Sequence, residues 1–367
     1  MDLINSGERI RQARELRKMT QTELAKEVNV DQSFVAQVES GYRPAPDAFI
    51  EAVAFKTRFP PSFFRQESPP EFPLGSLLFR AKKSLKARDK LQIHRYGQLS
   101  LEYAEHFFSK IKSPPFRLPQ VSGKVREAVA MTRNALGLSP DTPVKNLIRA
   151  VEKAGVLVFG LPTDIDEVDA FSVWAGNESN RAIIVICGEK PGDRIRMSVA
   201  HEVAHLVMHQ TIKGSLEEIE KEADRFAAEL LLPELAMQQM ILPPVTLTRL
   251  AQLKPQWGTS IQALIRRAYD LEIITERQYH YLFEQLGMNG WKKKEPIDIP
   301  VEKPRALIEM AEVFYGGNID HKKVAANLNA TSPFVSELMR CYAGKNSSAL
   351  SPAKFAPKIL EFQKGKR

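Results

Sequence analysis

Two cysteines, Cys187 and Cys341, are all that the 367 residues hold. They stand far apart in the chain, so a disulfide framework is not indicated and a reducing compartment is expected. With no cysteine cluster, any metal would have to be held by histidine and carboxylate. No apolar run reaches the ~18 residues that a membrane helix needs, which argues against a membrane partner. The opening stretch, Met1 to Arg9, lacks the basic-then-apolar pattern of a secretory signal. A cytoplasmic protein is expected.

What is present begins with length and charge. A chain of 367 residues with 43% hydrophobic content has room for two or three domains and a sizeable core. The formal net charge of +8 hints at nucleic acid. The excess is unevenly spread, however. Residues 77–133 carry 13 Lys/Arg against four Asp/Glu, whereas residues 1–65 carry 10 against nine. Charge alone therefore does not make the N-terminal part a DNA binder.

The segment with the most chemistry is Met197 to His209, which contains His201-Glu202-Val203-Ala204-His205. On a helix, positions 201 and 205 sit one turn apart, about 6 Å along the axis and on the same side. Two imidazoles so placed can reach one Zn²⁺ at about 2.0–2.1 Å, and Glu202 can act as general base toward the attacking water. Ile195, Val199, Ala200, Val203, Ala204, Leu206, Val207 and Met208 make this helix apolar on nearly every side, as in a buried helix. Burying two histidines and a glutamate is costly unless they are paired or hold a metal. Metal-assisted hydrolysis of a peptide bond is the chemistry these residues propose.

A catalytic zinc usually takes three protein ligands. His209 lies ~12 Å along a straight helix from His201, and no glycine between 205 and 209 breaks that helix, so His209 reads as a supporting or structural residue. The next helix, Leu216 to Leu232, has the apolar stripe Ile219, Ala223, Phe226, Ala227 and Leu230. Wheel geometry puts Glu220 and Glu222 on opposite margins of that stripe, with Glu218 and Glu229 further out. Periodicity does not choose between Glu220 and Glu222.

Around this pair of helices the pattern predicts helices over 123–138 and 143–154 and short strands at 156–159, 170–174 and 182–187. The sheet is expected to be small and antiparallel. Its edge could pair with an extended substrate, and Ala182 to Cys187 is the candidate edge, with a covered core strand as the other possibility.

Toward the N-terminus, helical spacing runs over Gly7 to Met19. Thr20 with Glu23 makes a capping box for a helix over Gln21 to Val28. Asn29 breaks that helix at a left-handed position, and Asp31 is placed to cap a third helix, Gln32 to Glu39, ending at Ser40-Gly41. Two short helices joined by so tight a turn form a helix-turn-helix. The text Thr20-Gln21 through Glu39-Ser40-Gly41 resembles the XRE (Cro-like repressor) family. That resemblance implies that Gln21 meets a phosphate, that Gln32, Ser33 and Gln37 face base edges in the major groove, and that Arg43 touches backbone phosphate. Such units also serve as dimerisation or partner-docking modules, so a homodimer fits as well.

Ser198-Val-Ala-His-Glu-Val-Ala-His-Leu-Val-Met-His209, Glu220-Lys-Glu-Ala-Asp-Arg-Phe-Ala-Ala-Glu-Leu-Leu-Leu-Pro233 and the stretch Leu250 to Ala268 resemble the ImmA/IrrE family of metallo-endopeptidases. The likeness covers roughly residues 75–300. It implies that Glu222 is the third zinc ligand, that Asp224 can orient a ligand histidine, and that Phe226 packs the site. It also implies a repressor-type helix-turn-helix protein as substrate, with tethering to DNA raising the local concentration of protease near operator-bound repressors. Mn²⁺ or Fe²⁺ could occupy the same ligands.

Proline punctuation at Pro60-Pro61, Pro69-Pro70, Pro114-Pro115, Pro296 and Pro300 divides the chain. The expected organisation is a helix-turn-helix unit at 1–68, a basic helical connector at 69–120, a metallopeptidase unit at 121–298 and a helical, helix-turn-helix-like unit at 299–367. In the last, Gly316-Gly317 stops a helix, Asp320 caps 321–329 and Thr331 caps 332–342. The expected fold class is α+β and mostly helical, with a zincin-like metallopeptidase domain. The leading reading is a zinc-dependent endopeptidase joined to an operator-binding module. Two others stand beside it: a transcriptional regulator whose protease-like part senses metal or a partner without cleaving, and an antitoxin-like protein that holds a partner chain.

Overall fold

The computed structural model describes residues 6–73, 85–108, 110–112, 114–176, 181–210, 214–317 and 319–342. Parts of the expected connector (74–84) and of the loop after Gly176 lie outside them, as does the chain beyond 342. Sixteen α-helices and three strands occur among the described residues, so the chain is α+β and mostly helical.

The N-terminal unit is α1 (Ser6–Leu16), α2 (Gln21–Glu27), α3 (Gln32–Glu39) and α4 (Asp47–Thr57), followed by a 3-10 turn, Pro61–Arg65. The Thr20–Glu23 capping box closes in both directions, and Asn29 takes the left-handed conformation, φ 56°. Asp31 stands at the N-cap of α3 but makes no side-chain cap bond, so that part of the expectation is corrected. Ile10, Ala13, Leu16, Leu24, Val35 and Val38 fill the centre of the bundle. The long α5 (Ala87–Phe108) packs against α1, and its Tyr96, Tyr103 and Phe107 are buried.

Next come α6 (Val125–Ala135), α7 (Leu147–Lys153), β1 (Leu157–Leu161), β2 (Ala170–Ala175) and β3 (Arg181–Cys187). The strand order is β1-β3-β2. β1 runs parallel to β3 and β2 antiparallel to it. The sheet is thus mixed, not purely antiparallel, and Ala182 to Cys187 forms its central strand rather than an edge. The reason lies in burial: Ala182 through Cys187 is apolar on both faces and all of it is inaccessible, as a strand covered on two sides and two edges must be. Alternation then divides the sheet between two cores. Phe159, Phe171, Val173, Ile183 and Val185 join the core shared with the N-terminal unit and α5. Val158, Ala182, Ile184 and Ile186 join the core of the helices that follow.

Those helices are α8 (Gly192–Met208), α9 (Leu216–Leu231), α10 (Glu234–Met240), α11 (Leu247–Trp257), α12 (Ile261–Asp270) and α13 (Glu276–Met288). α8 lies mainly on β2, and α9 packs along α8. Gly192 opens α8 beneath the extended strap at 297–304. A Cβ there would lie 2.4 Å from the Ile299 carbonyl oxygen, so only glycine lets the strap cross. Glu302 of that strap pairs with the buried Arg196 of α8 and accepts from the Ile148 amide at 2.9 Å.

The chain ends its described course in α14 (Ala306–Tyr315), α15 (His321–Asn327) and α16 (Ser332–Arg340). Asp320 caps α15 through its side chain. Thr331 does not cap α16; its hydroxyl instead donates to the Arg58 carbonyl at 3.3 Å. Phe334 packs on Phe59 and stacks parallel to Tyr96, and Tyr342 reaches the sheet, where its buried hydroxyl accepts from the Gly160 amide at 3.2 Å. The C-terminal helices therefore share one core with the N-terminal bundle and one face of the sheet.

Candidate metal centre

α8 and α9 meet at a cluster of imidazoles and carboxylates. His201 and Glu202 are buried, at 3% and 0% exposure. The His201 and His205 Nε2 atoms are 3.0 Å apart. Glu220 closes the triangle, with Oε2 3.4 Å from His201 Nε2 and Oε1 3.3 Å from His205 Nε2. Three ligands bound at 2.0–2.1 Å to a tetrahedral zinc lie about 3.3 Å from one another, so these residues fit a zinc ion in both donor type and spacing. Burial alone would raise the Glu220 carboxyl. Imidazoles at 201 and 205 that carry a proton on Nε2 outweigh it through hydrogen bonds and charge, and then hold the group well below the ordinary carboxylate range.

The geometry does not bring Glu222, the resemblance-based choice, into this triangle. Glu222 projects from the opposite margin of α9, is 45% exposed, and faces His209 at 3.2 Å. The physical reason is helical phase. Glu220 and Asp224 are four residues apart and share one margin, and it is this margin that α9 turns toward His201 and His205. Asp224 Oδ1 lies 2.7 Å from His201 Nδ1, an arrangement that orients the ring so that Nε2 faces the cluster. The signal that could have found Glu220 was this i, i+4 pair: one acid facing both imidazoles and one at the back of His201. Phe226 is fully buried in the adjoining core.

Glu202 points to the sheet side of α8, where the Ser172 hydroxyl of β2 donates to its Oε2 at 2.8 Å. Sequence reasoning missed Ser172, although its place in the Ala170, Ser172, Trp174 alternation faces it toward α8. His209, at the C-cap of α8, stands behind His205 with the two Nδ1 atoms 3.0 Å apart. Burial pushes the His209 imidazole below its ordinary value, against the opposing hydrogen bond that His209 gives to Glu222. A separate cleft of about 1000 Å³ lies between the 162–166 loop, the 299–304 strap and α16. It contains none of the cluster residues and mixes charges of both signs, so the chemistry stays with the cluster.

At the N-terminal unit, Gln32, Ser33, Gln37 and Arg43 are exposed on or just after α3, and Gln21 is partly buried. Gln32 donates to Gln21 at 2.8 Å, and Gln21 donates to Glu39 at 2.9 Å. The Arg43 guanidinium sits over the Phe34 ring, 4.7 Å from its centroid. Beneath them Glu39 is fully buried and gripped by Arg14 through two bonds of 2.6 and 2.8 Å. The Arg14–Glu39 pair was not anticipated, since nothing local links residues 25 positions apart.

Comparison with known families agrees with both halves of this architecture. Residues 151–269 match the Peptidase M78 family, the IrrE N-terminal-like domain. Residues 10–54 match a helix-turn-helix family. A match to helix-turn-helix domains thus precedes a match to the M78 peptidase domain. A search of curated proteins found no match. No helix among the described residues is long and apolar enough to cross a membrane.

Proposed function

We propose that this chain is a zinc-dependent endopeptidase coupled to an operator-binding module, and that it cuts a repressor-type, helix-turn-helix transcription regulator in the cytoplasm. The observation that carries the reading is the triangle of His201, His205 and Glu220 with buried Glu202 beside it. Those three residues would hold the zinc. When bound, zinc makes its water acidic and polarises the scissile carbonyl.

Glu202 then takes the proton of the attacking water as its oxygen bonds to the carbonyl carbon, and passes a proton to the amine as the C–N bond breaks. Ser172, donating to one carboxylate oxygen, holds Glu202 in place. β2 lies at an edge of the sheet against α8, so an extended substrate can add along it by main-chain hydrogen bonds. On the DNA side, Gln21 would meet phosphate, Gln32, Ser33 and Gln37 would read bases, and Arg43 would touch the backbone.

The test uses the full chain, wild type against Glu202→Gln, incubated with helix-turn-helix repressors from the same genome, with metal content measured by mass spectrometry. The expected outcome is one zinc per chain in both proteins and a loss of cleavage by about 10²–10⁴-fold in the variant. Equal cleavage by both, or wild-type protein that binds no metal, would overturn the proposal.

A further inference from the structure

The two imidazoles of the candidate centre are backed differently. His201 Nδ1 meets an acid directly, Asp224 at 2.7 Å. His205 Nδ1 meets another imidazole, His209 Nδ1 at 3.0 Å, whose far nitrogen Nε2 faces Glu222 Oε2 at 3.2 Å. A carboxylate only accepts hydrogen bonds, so His209 Nε2 must carry the proton. A neutral imidazole carries one proton, so His209 Nδ1 is bare and accepts. His205 Nδ1 must then be the donor, and His205 Nε2 is left with a free lone pair pointing at His201 and Glu220. The direction of every hydrogen bond in the chain follows from the acid at its end.

We propose that Glu222 and His209 form a positioning relay that sets the tautomer and ring orientation of His205 for metal binding. This rests on the metal-centre reading above. The relay gives Glu222 a role different from ligation: it supports the second histidine at one remove, as Asp224 supports the first directly. Both supports come from α9, on opposite margins, so one helix orients both imidazoles of the other. Partners of this kind orient metal-bound histidines and raise their basicity.

The experiment measures Zn²⁺ affinity of the full-length chain by competition with a chromophoric chelator at fixed pH. The proteins are wild type, His209→Phe, Glu222→Gln, the double variant and His201→Ala. His209→Phe keeps a ring against His205 and removes both nitrogens. The expected result is a weakening of about 10–100-fold for His209→Phe and a smaller weakening for Glu222→Gln. The double variant should match His209→Phe alone, because Glu222 acts only through His209. Wild-type affinity in His209→Phe, or a double variant that loses the sum of both effects, overturns the relay. Should His209→Phe fail to fold, Glu222→Gln, a substitution at a half-exposed position, carries the test, and unchanged affinity there overturns it. His201→Ala separates the two claims. If it binds zinc like wild type, the metal centre itself falls; if it loses zinc while His209→Phe does not, only the relay falls.

Discussion

The candidate metal centre and the exposed face of the N-terminal helix-turn-helix are both built as chains of hydrogen-bonded side chains, and they differ in what gives each chain its direction. In the N-terminal unit, Arg95 of α5 donates to Glu15 at 2.6 Å, Arg14 contacts Glu15 and grips Glu39, and Glu39 accepts from Gln21, which accepts from Gln32. Arginine can only donate and carboxylate can only accept, so this chain has one possible polarity, and it runs from a buried helix interface out to exposed Gln32. In the metal centre the links are histidines, which donate or accept on either nitrogen. There the direction must be imposed from an end, and Asp224 and Glu222 are those ends. A lost arginine thus removes a fixed charge partner, whereas a lost carboxylate releases a tautomer.

Substitutions in each region should separate these two behaviours. The largest effect is expected from Glu220→Ala, which removes one corner of the triangle: metal analysis should find no stoichiometric zinc, while the N-terminal unit keeps its fold. Retention of a full equivalent of zinc would show that another residue supplies the third ligand. Next is Arg14→Met, which removes the closest charge partner of buried Glu39 and leaves it Gln21 at 2.9 Å and Arg11 at 3.7 Å. Breaking a buried pair in this way costs about 3–5 kcal/mol, so the N-terminal unit should unfold at markedly lower urea concentration with zinc content unchanged. A variant as stable as wild type would mean that Glu39 finds water or Gln21 sufficient.

The smallest effect sharpens the comparison through a third carboxylate, whose hydrogen bonds come from backbone amides and whose arginine partner, Arg149, stands off at 3.7 Å. Glu152 on α7 is fully buried and accepts from the Arg305 and Ala306 amides, both at 2.8 Å, through one oxygen. Its other oxygen meets no hydrogen-bond donor among the described residues. Burial pushes its carboxyl up to about 7, against those two amides. The folded value lies above the unfolded one, so this group's contribution to stability is full below pH ~4.5 and is lost as pH rises to about 7. The loss amounts to about 3 kcal/mol at roughly 1.4 kcal/mol per unit. Thermal midpoints measured from pH 4.5 to 8 should fall for wild type relative to Glu152→Gln across that window and run parallel above it. Parallel curves throughout would show that Glu152 titrates alike in the folded and unfolded chain.

Much of both regions was legible in the sequence because it depends on spacing within one element. His201 and His205 share a helix face by their separation alone, and apolar neighbours announced the burial of that helix. The Thr20–Glu23 box and the left-handed turn at Asn29 are equally local. The Asp31 cap was not realised, and Thr331 spends its hydroxyl on Arg58 instead of its own helix, because a tertiary partner outcompeted the local one. The central position of β3 was half legible: an uninterrupted apolar run is compatible with a strand covered on all sides, but pairing partners come from elsewhere in the chain.

What the sequence by itself determined is therefore which residues share a face: two imidazoles with Glu202 on α8, Glu220 with Asp224 on one margin of α9, Glu222 on the other. Only the tertiary structure decided which margin of α9 turns toward α8, that β2 and not β3 lies at the sheet edge beside it, and that α16 closes on Phe59 and Tyr96. Helical phase is a property of consecutive residues. The way two helices cross is set by the side chains that interlock between them, many of them distant in sequence. That crossing selects Glu220 as the neighbour of both imidazoles and leaves Glu222 to His209.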